Sequence, residues 1–511
     1  MNISSTILLI LLSYLAYLLI YRLFLHPLAK VPGRKLAAST SWHEFYYDCV
    51  KGNGGQHAFK IQEMHKRYGP VVRINPREVH IDGRVDPAFW DILYSNSNKL
   101  DKDSFYYDGF GAGYSAVSTG PADLHRARRG AMANYFSMTN IRRYEPMVLQ
   151  QISKLFQRLK TCKANDEVVD LGNAYRCLAT DVVTSFALPE PKTMLDYPDF
   201  GKDFNRLIRD FAKLITFQRH LKIVFPLLSA IPDWLTVRMD STGASLQMVD
   251  FQRSYEKQTQ LAIDRKGKLP EGQPISILDT LATSTELKDR DKLRNRIVEE
   301  ARNTVGAGTE TTASTLSVLT YHLLSNPACL VKLKSELNDT AVASSNQLLD
   351  FRTLERLPYL NAVISEALRL TNPVTGRLPR INPRAPTSYT TPSGITYTFP
   401  PGTVMSMSMP DLHFNSSIFP DPHAFKPERW LEGTWEQKAR MQQFFVPFGK
   451  GSRACLGMES ARMELLLTAG NLFRRFEMEL FETTARDVSW AHDFFAPFAP
   501  FDSAGLRVTM L

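Results

Sequence analysis

The chain has 511 residues, 44% of them hydrophobic, and 61 Lys and Arg against 52 Asp and Glu give a formal charge of +9. No linker, low-complexity tract or internal repeat divides the part after residue 40, which excludes a repeat array and leaves one large domain, ample to enclose a cofactor. The charge forms no basic block with interleaved aromatics, so nucleic acid is not an expected partner, and five irregularly spaced cysteines exclude a disulfide framework or a zinc pattern.

Ile3 to Tyr21 carries no charge and is dominated by Leu and Ile, and about 19 residues roughly span a hydrocarbon core. No Lys or Arg precedes the run, as a cleaved signal peptide would require, while Arg22, Lys30, Arg34 and Lys35 follow it. The positive-inside tendency predicts a single-pass anchor with its C-terminal side cytosolic. Pro27 and Pro32-Gly33 stiffen the exit and let a globular body rest on the membrane. A basic surface there suits anionic lipid or an acidic redox partner. Asn2-Ile-Ser is a lumenal glycosylation pattern, whereas those at Asn338 and Asn415 would be cytosolic and unused.

Gln56 to Tyr68 reads as a helix ended by Gly69-Pro70, and Val71–Ile74 and Glu78–Ile81 alternate like two strands around Asn75-Pro76. From Asp101 to Gly120 the chain is rich in Gly, Ser and aromatics, the pattern of a surface loop with packed rings. His125-Arg-Ala-Arg-Arg129 opens a helix running to Phe136-Ser137. Spacing i, i+4 puts His125 and Arg129 on one face, which either grips a shared anionic group or is simply solvated. Residues 145 to 260 read as helical and amphipathic without a motif.

Asp289 to Ser325 forms one extended helical pattern closed by Asn326-Pro327, about 50 Å long and enough to cross the domain. In its middle, Gly306-Ala-Gly-Thr-Glu-Thr-Thr312 is a poor helix former. Small residues there admit a planar ligand, and threonine side chains that take over backbone carbonyls favour a kink. Glu310 and Thr311 supply an acid and a hydroxyl suited to passing protons, although such a stretch taken alone is more often a packing groove than a proton relay. Glu366 and Arg369 are i, i+3 partners on a later helix. Thr396 to Ser408 alternates like a β-hairpin around Pro400-Pro-Gly402, and Phe494 to Phe498 reads as a turn toward a substrate pocket.

The densest chemistry lies in Phe448-Gly-Lys-Gly-Ser-Arg-Ala-Cys-Leu-Gly457. Glycines 449 and 451 permit a tight turn against a flat object. Cys455 falls at or near the first turn of a helix through Met458–Leu467, where the helix dipole and free amides favour a thiolate. Arg453 adds a fixed cation for an acidic group of a cofactor.

This stretch resembles the heme-binding signature of the cytochrome P-450 superfamily, Phe-x-x-Gly-x-Arg-x-Cys-x-Gly, at every defined position. Ala-Gly-x-Glu-Thr-Thr from Ala307, Glu-x-x-Arg from Glu366 and Pro-Glu-Arg-Trp at 427–430 resemble three further segments of that family, in the same order. The resemblance implies a mainly α fold with small β-sheets (α+β), heme b lying between the long helix and the cysteine loop. It implies Cys455 as the iron ligand. Ala307, Phe448 and Gly457 would lie against the cofactor, with Arg453, Arg129, His125 and Arg380 (preferred to Arg377) at its propionates. His125 stands where many members have Trp. Glu310 and Thr311 would serve oxygen activation, and Glu366, Arg369 and Arg429 a buried structural network. The chain would divide into an anchor (1–25), a proline-rich hinge (26–40) and a heme-thiolate catalytic domain (41–511). The implied reaction inserts one atom of O2 into an apolar small molecule. No flavin or nicotinamide fingerprint is visible, so an external NADPH-cytochrome reductase on the endoplasmic reticulum membrane would supply electrons. Leu23–Leu28, Val31–Gly33 and His125–Arg129 resemble fungal microsomal members similar to trichodiene oxygenase, which implies a terpenoid-like substrate in specialised metabolism. Polyketide or alkaloid oxidation by the same chemistry, and a heme-thiolate isomerase or dehydratase that needs no O2, are the alternatives.

Overall fold

The helical periodicities resolve, in a computed structural model, into a mainly α-helical body with small sheets at its edges. The structure describes residues 3–95, 99–223, 227, 230–239, 244–265, 268, 275–285, 287, 293–340 and 347–511. The acceptor pattern at Asn2 and the expected start of the long helix, 289–292, lie outside the described residues.

The helices that position the site are α1 (Ile3–Ile20), α2 (Lys35–Ser39), α3 (Trp42–Phe45), α4 (His57–Tyr68), α5 (Ala122–Ala133), α6 (Glu145–Ala164), α7 (Leu171–Ala187), α8 (Lys202–His220), α9 (Arg294–Ser325), α10 (Pro358–Thr371) and α11 (Met458–Arg475). α4 stops where expected because Gly69 adopts φ +94°. α5 begins three residues before His125 and closes at Ala133, short of the expected Phe136–Ser137 break; Pro121, extended at ψ 132°, sets its entry.

Helix α9 runs unbroken through the glycine-rich stretch and packs against α7, α10 and α11. One side of that stretch is given to α7: a Cβ on Gly308 would lie 2.8 Å from Val183 Cγ2. On the same side the Thr180 and Thr309 hydroxyls are 3.1 Å apart and those of Tyr175 and Thr320 2.7 Å. This is the packing-groove reading of the motif, and it accounts for about half of it.

Twelve short strands, numbered in chain order, form four sheets among the described residues. β1 (Val71–Arg73), β2 (Glu78–Ile81), β3 (Asp101–Lys102), β5 (Arg380–Ile381) and β8 (Val404–Ser406) form one sheet in the order β1-β2-β8-β5-β3. β4 (Val169–Asp170), β9 (Met478–Leu480) and β12 (Arg507–Met510) form a second. β6 (Thr387–Thr390) pairs with β7 (Thr396–Phe399), and β10 (His492–Phe494) with β11 (Ala496–Phe498). The hairpin expected from Thr396 to Ser408 is therefore corrected. Both segments are strands, but β7 turns back on β6, while Gly402 at φ +85° sends β8 into the large sheet, parallel to β2. All three residues of β8 are buried, so its apolar content belongs to a central strand.

Behind the cysteine loop, Glu366 is wholly buried and fully used. Its carboxylate accepts from Arg369 Nε and Nη2 at 3.0 and 2.8 Å, Arg429 Nε at 3.0 Å, Trp430 Nε1 at 3.1 Å and the Lys426 amide at 3.0 Å. Arg369 spends its remaining donors on the carbonyls of His413, Pro422 and Ala424. The charges are thus paired and hydrogen-bonded, as burial requires.

Candidate functional site

The cysteine loop is held by backbone bonds that its glycines make possible. Gly449 and Gly451 take φ +68° and +72°, and a Cβ on Gly451 would overlap the Tyr94 carbonyl oxygen. The Gly449 amide donates to Val446 O at 2.8 Å, and the Cys455 amide to Phe448 O at 2.7 Å. Phe448 itself packs on the edge of the main core. Cys455 lies three residues before Met458, where α11 begins, near the first turn and not within it. Burial raises the thiol's pKa, opposed by the Gly457 amide at the sulfur and by the Arg129 charge. The local amide that the sequence reading expected at the sulfur is present, at Gly457. Cys455 is also the one exposed cysteine of five, open to a space that the surrounding protein desolvates.

Around this loop the chain crowds positive charge, with Asp101 the nearby carboxylate acting on Arg453. Arg453 reaches from the loop to the carbonyls of Thr119 and Gly120 at 2.8 and 2.7 Å. Arg129 on α5 bonds Ala454 O at 2.6 Å, and Lys102 on β3 bonds Val117 O at 2.6 Å. Arg380 on β5 bonds the Tyr107 hydroxyl at 2.9 Å. Among the described residues none of the four forms an ion pair. Burial, then the charges of Arg380, Arg453 and Arg129, hold the Lys102 ammonium well below its usual range. Burial followed by Arg380 lowers Arg453 to about 10. His125, buried on α5, is pushed down to about 2 by burial and then by Arg453, Lys102, Arg129 and Arg380. Such a cluster is a receptor for negative charge. Arg377, in contrast, is spent on Glu44 and on Glu78 at 2.8 Å. Sequence reasoning missed Lys102, since a lone lysine between two aspartates carries no distinguishing signal.

The glycine-rich stretch of α9 has a second side. A Cβ on Gly306 would meet nothing within 4 Å, and Gly306 and Ala307 are exposed although α9 is packed on several sides. Thr311, one turn on from Ala307, donates to its carbonyl at 2.7 Å. Glu310 does not share this exposure. Its carboxylate takes two bonds of 2.8 Å from Arg176 on α7 and borders a polar cavity of about 630 Å³ that also touches Asp170, Arg209, Ser314 and Ser317. Nothing in the local sequence signalled the Arg176 partner.

Loop 111–120 ties the two walls together. From α9, Glu299 accepts the Tyr114 amide at 2.7 Å, Glu300 accepts the Ala116 amide at 2.9 Å, Arg302 donates to Gly111 O at 2.5 Å and Asn303 to Ser115 Oγ at 2.7 Å. The same loop then delivers Thr119 and Gly120 to Arg453. The β10–β11 hairpin turns at Phe495, φ +79°, whose ring meets Phe110 edge-on at 4.8 Å.

A thiol open to a desolvated space, an uncovered strip on a central helix and a cation cluster lacking ion pairs among the described residues together describe a receptacle for a flat, acidic metal cofactor. The cytochrome P450 family model matches residues 39–492. The chain is 37% identical to the cytochrome P450 monooxygenase MO6277 of Ascocoryne sarcoides over 98% of its length and 96% of that protein's. It is 36% identical to the tryptophan 6-hydroxylase fscE of Fusarium equiseti, over 96% and 94%. It is also 36% identical to the N-acetyltryptophan 6-hydroxylase ivoC of Emericella nidulans, over 99% and 97%. Among solved structures, the crystal structure of a cytochrome P450 (CYP102L1) superposes with a TM-score of 0.66 at 20% identity, covering 89% of this chain and 98% of that one, which shows the fold. The chain belongs to the cytochrome P450 family. It is a monooxygenase of that class, an oxidoreductase that incorporates oxygen, and the family holds heme through a cysteine thiolate.

Proposed function

We propose that this protein is a heme b monooxygenase of fungal specialised metabolism that inserts one atom of O2 into an apolar small molecule of terpenoid type. The carrying observation is Cys455 in an open, desolvated position beside a buried cation cluster without ion pairs among the described residues. Heme, held at Cys455, would supply the binding and reduction of O2. The protein's own groups would do the rest. The Gly457 amide steadies the sulfur, and Lys102, His125, Arg129, Arg380 and Arg453 take two propionate charges. Gly306 and Ala307 keep the opposite wall flat. Thr311 Oγ1 holds a proton on that wall, and the Glu310 carboxylate, oriented by its two bonds from Arg176, takes up and releases protons at its edge of the polar cavity behind it. Phe110 and Phe495 line the entry for an apolar substrate.

Among the described residues a single helical run, Ser4–Leu25 with mean hydropathy 2.2, is long and apolar enough to cross a membrane. It supports the anchor (1–25); the proposal adds a hinge (26–40) and a cytosolic catalytic domain (41–511) on the endoplasmic reticulum, with electrons from an NADPH-cytochrome reductase. A second reading, oxidation of an indole or related alkaloid precursor, is favoured by the two relatives named as tryptophan-type 6-hydroxylases.

The test is the reduced, CO-treated spectrum of the full chain and its Cys455→Ala variant, together with turnover in the presence and absence of NADPH and O2. The variant is expected to lose the thiolate band. An unchanged band would overturn the ligand assignment, and turnover without NADPH or O2 would favour the isomerase or dehydratase alternative.

A further inference from the structure

The end of the apolar run is fixed to the body. Arg22 Nη1 donates to Ser39 O at 2.8 Å, Arg73 Nη1 to Arg22 O at 2.7 Å, and Lys35 Nζ lies 5.8 Å from the centre of the Phe24 ring. α2 and α3 therefore stand at the level where the run ends, and they expose apolar groups there: Leu36 is 54% and Trp42 64% exposed, beside Phe24 at 66%. Next to them α4 closes a cavity of about 260 Å³ lined by Arg34, Lys60, Arg67, Glu63, Met64 and Tyr68. Only Lys60 is neutralised, by Glu63; among the described residues Arg34 and Arg67 have no carboxylate partner. His43 on α3 is 4% exposed, and neither ring nitrogen has a partner. Its pKa is lowered to about 4 by burial and then by the charges of Arg34 and Lys60.

We propose that this cavity binds the headgroup phosphate of an anionic glycerophospholipid, with Arg34, Lys60 and Arg67 on the phosphate and acyl chains along Phe24, Leu36 and Trp42. An apolar fringe beside two unneutralised arginines, with the Lys60–Glu63 pair next to them, at the foot of a membrane span matches a lipid, whose charge and chains are joined, and matches a soluble anion less well. The inference rests on the reading that residues 4–25 cross a bilayer.

The experiment uses the full, heme-loaded chain in nanodiscs of phosphatidylcholine with phosphatidylserine. After detergent extraction, native mass spectrometry counts retained lipids. Preferential retention of one phosphatidylserine is expected, with the preference falling about tenfold in Arg34→Gln/Arg67→Gln and by a smaller factor in Lys60→Gln. Equal retention of both lipids, or an unchanged preference in the double variant, overturns the site. Displacement of the lipid by low-millimolar inorganic phosphate assigns the cavity to a small anion instead. Loss of reductase-supported turnover with lipid retention intact assigns the cations to a protein partner. Resistance of the chain to a carbonate wash is scored separately. If the chain washes off, the anchor reading fails. If it stays inserted without lipid preference, the pocket alone fails.

Discussion

Two glycines two residues apart on α9 are predicted to answer the same substitution in opposite ways. In Gly308→Ala the new methyl lies 2.8 Å from Val183 Cγ2 and 3.1 Å from its Cβ, whereas comfortable carbon contacts begin at about 3.5 Å. Val183 is buried on α7, and a β-branched side chain in a helix has essentially one rotamer, so it cannot swing away. The helices must part, at about 1–3 kcal/mol for an overpacked core. In Gly306→Ala the methyl meets nothing, and replacing a mid-helix glycine gains about 0.5–1 kcal/mol. The helix-propensity gain is common to both, so the difference between the variants isolates the overpacking. At about 2.1 cal/mol/K of unfolding entropy per residue, each kcal/mol moves the melting point by about 1 °C at this length. Thermal melts of the full chain are therefore expected to place Gly308→Ala about 1–3 °C below Gly306→Ala. Gly306→Ala, although the more stable, is expected to turn over substrate more slowly because its methyl occupies the open strip. Equal melting points, or Gly308→Ala the higher, would refute the assignment of the two sides of this helix.

Gly451→Ala adds a Cβ into the Tyr94 carbonyl at φ +72° and is expected to abolish heme-loaded protein, read from the reduced-CO band. Glu366→Gln leaves Arg369 and Arg429 without their shared carboxylate and should cost about 3–5 kcal/mol in urea unfolding. Glu464, buried on α11 with Oε1 unpartnered, has its pKa raised to about 8 by burial. The folded chain then holds a proton that the unfolded chain releases near the ordinary carboxyl value, so this group's contribution to stability falls as pH rises toward about 8. Glu464→Gln is expected to melt like the parent at pH 4 and above it at pH 8; equal differences at both pH values would exclude the effect.

What was legible in the sequence was what is local in the chain. The cysteine loop packs its glycines, arginine and ligand into ten residues, so spacing alone carried the chemistry. Glu366 and Arg369 sit one turn apart on one helix, so their pairing was visible, and the Pro-Glu-Arg-Trp motif pointed to Arg429. The partners that define the rest are distant. Arg176 meets Glu310 across 134 positions, and no local pattern distinguishes it from any other arginine on an amphipathic helix. Lys102 becomes part of the cation cluster only because β3 joins β5 at the edge of the large sheet. β7 and β8 were recognisable as strands, but alternation does not encode which neighbour a strand chooses, and tertiary burial decided it.

The four side chains by which α9 holds loop 111–116 have a consequence for how the pocket works. Ordering a loop on ligand binding costs conformational entropy for every residue fixed. Here that loss has already been incurred at folding, because Glu299, Glu300, Arg302 and Asn303 grip the loop before any ligand arrives. The loop is therefore fixed to the first turns of α9 at one end and, through Thr119 and Gly120, to Arg453 at the other. If the proposed substrate site lies beneath this loop, discrimination among substrates would fall on fit to a preset shape more than on a loop folding around each one.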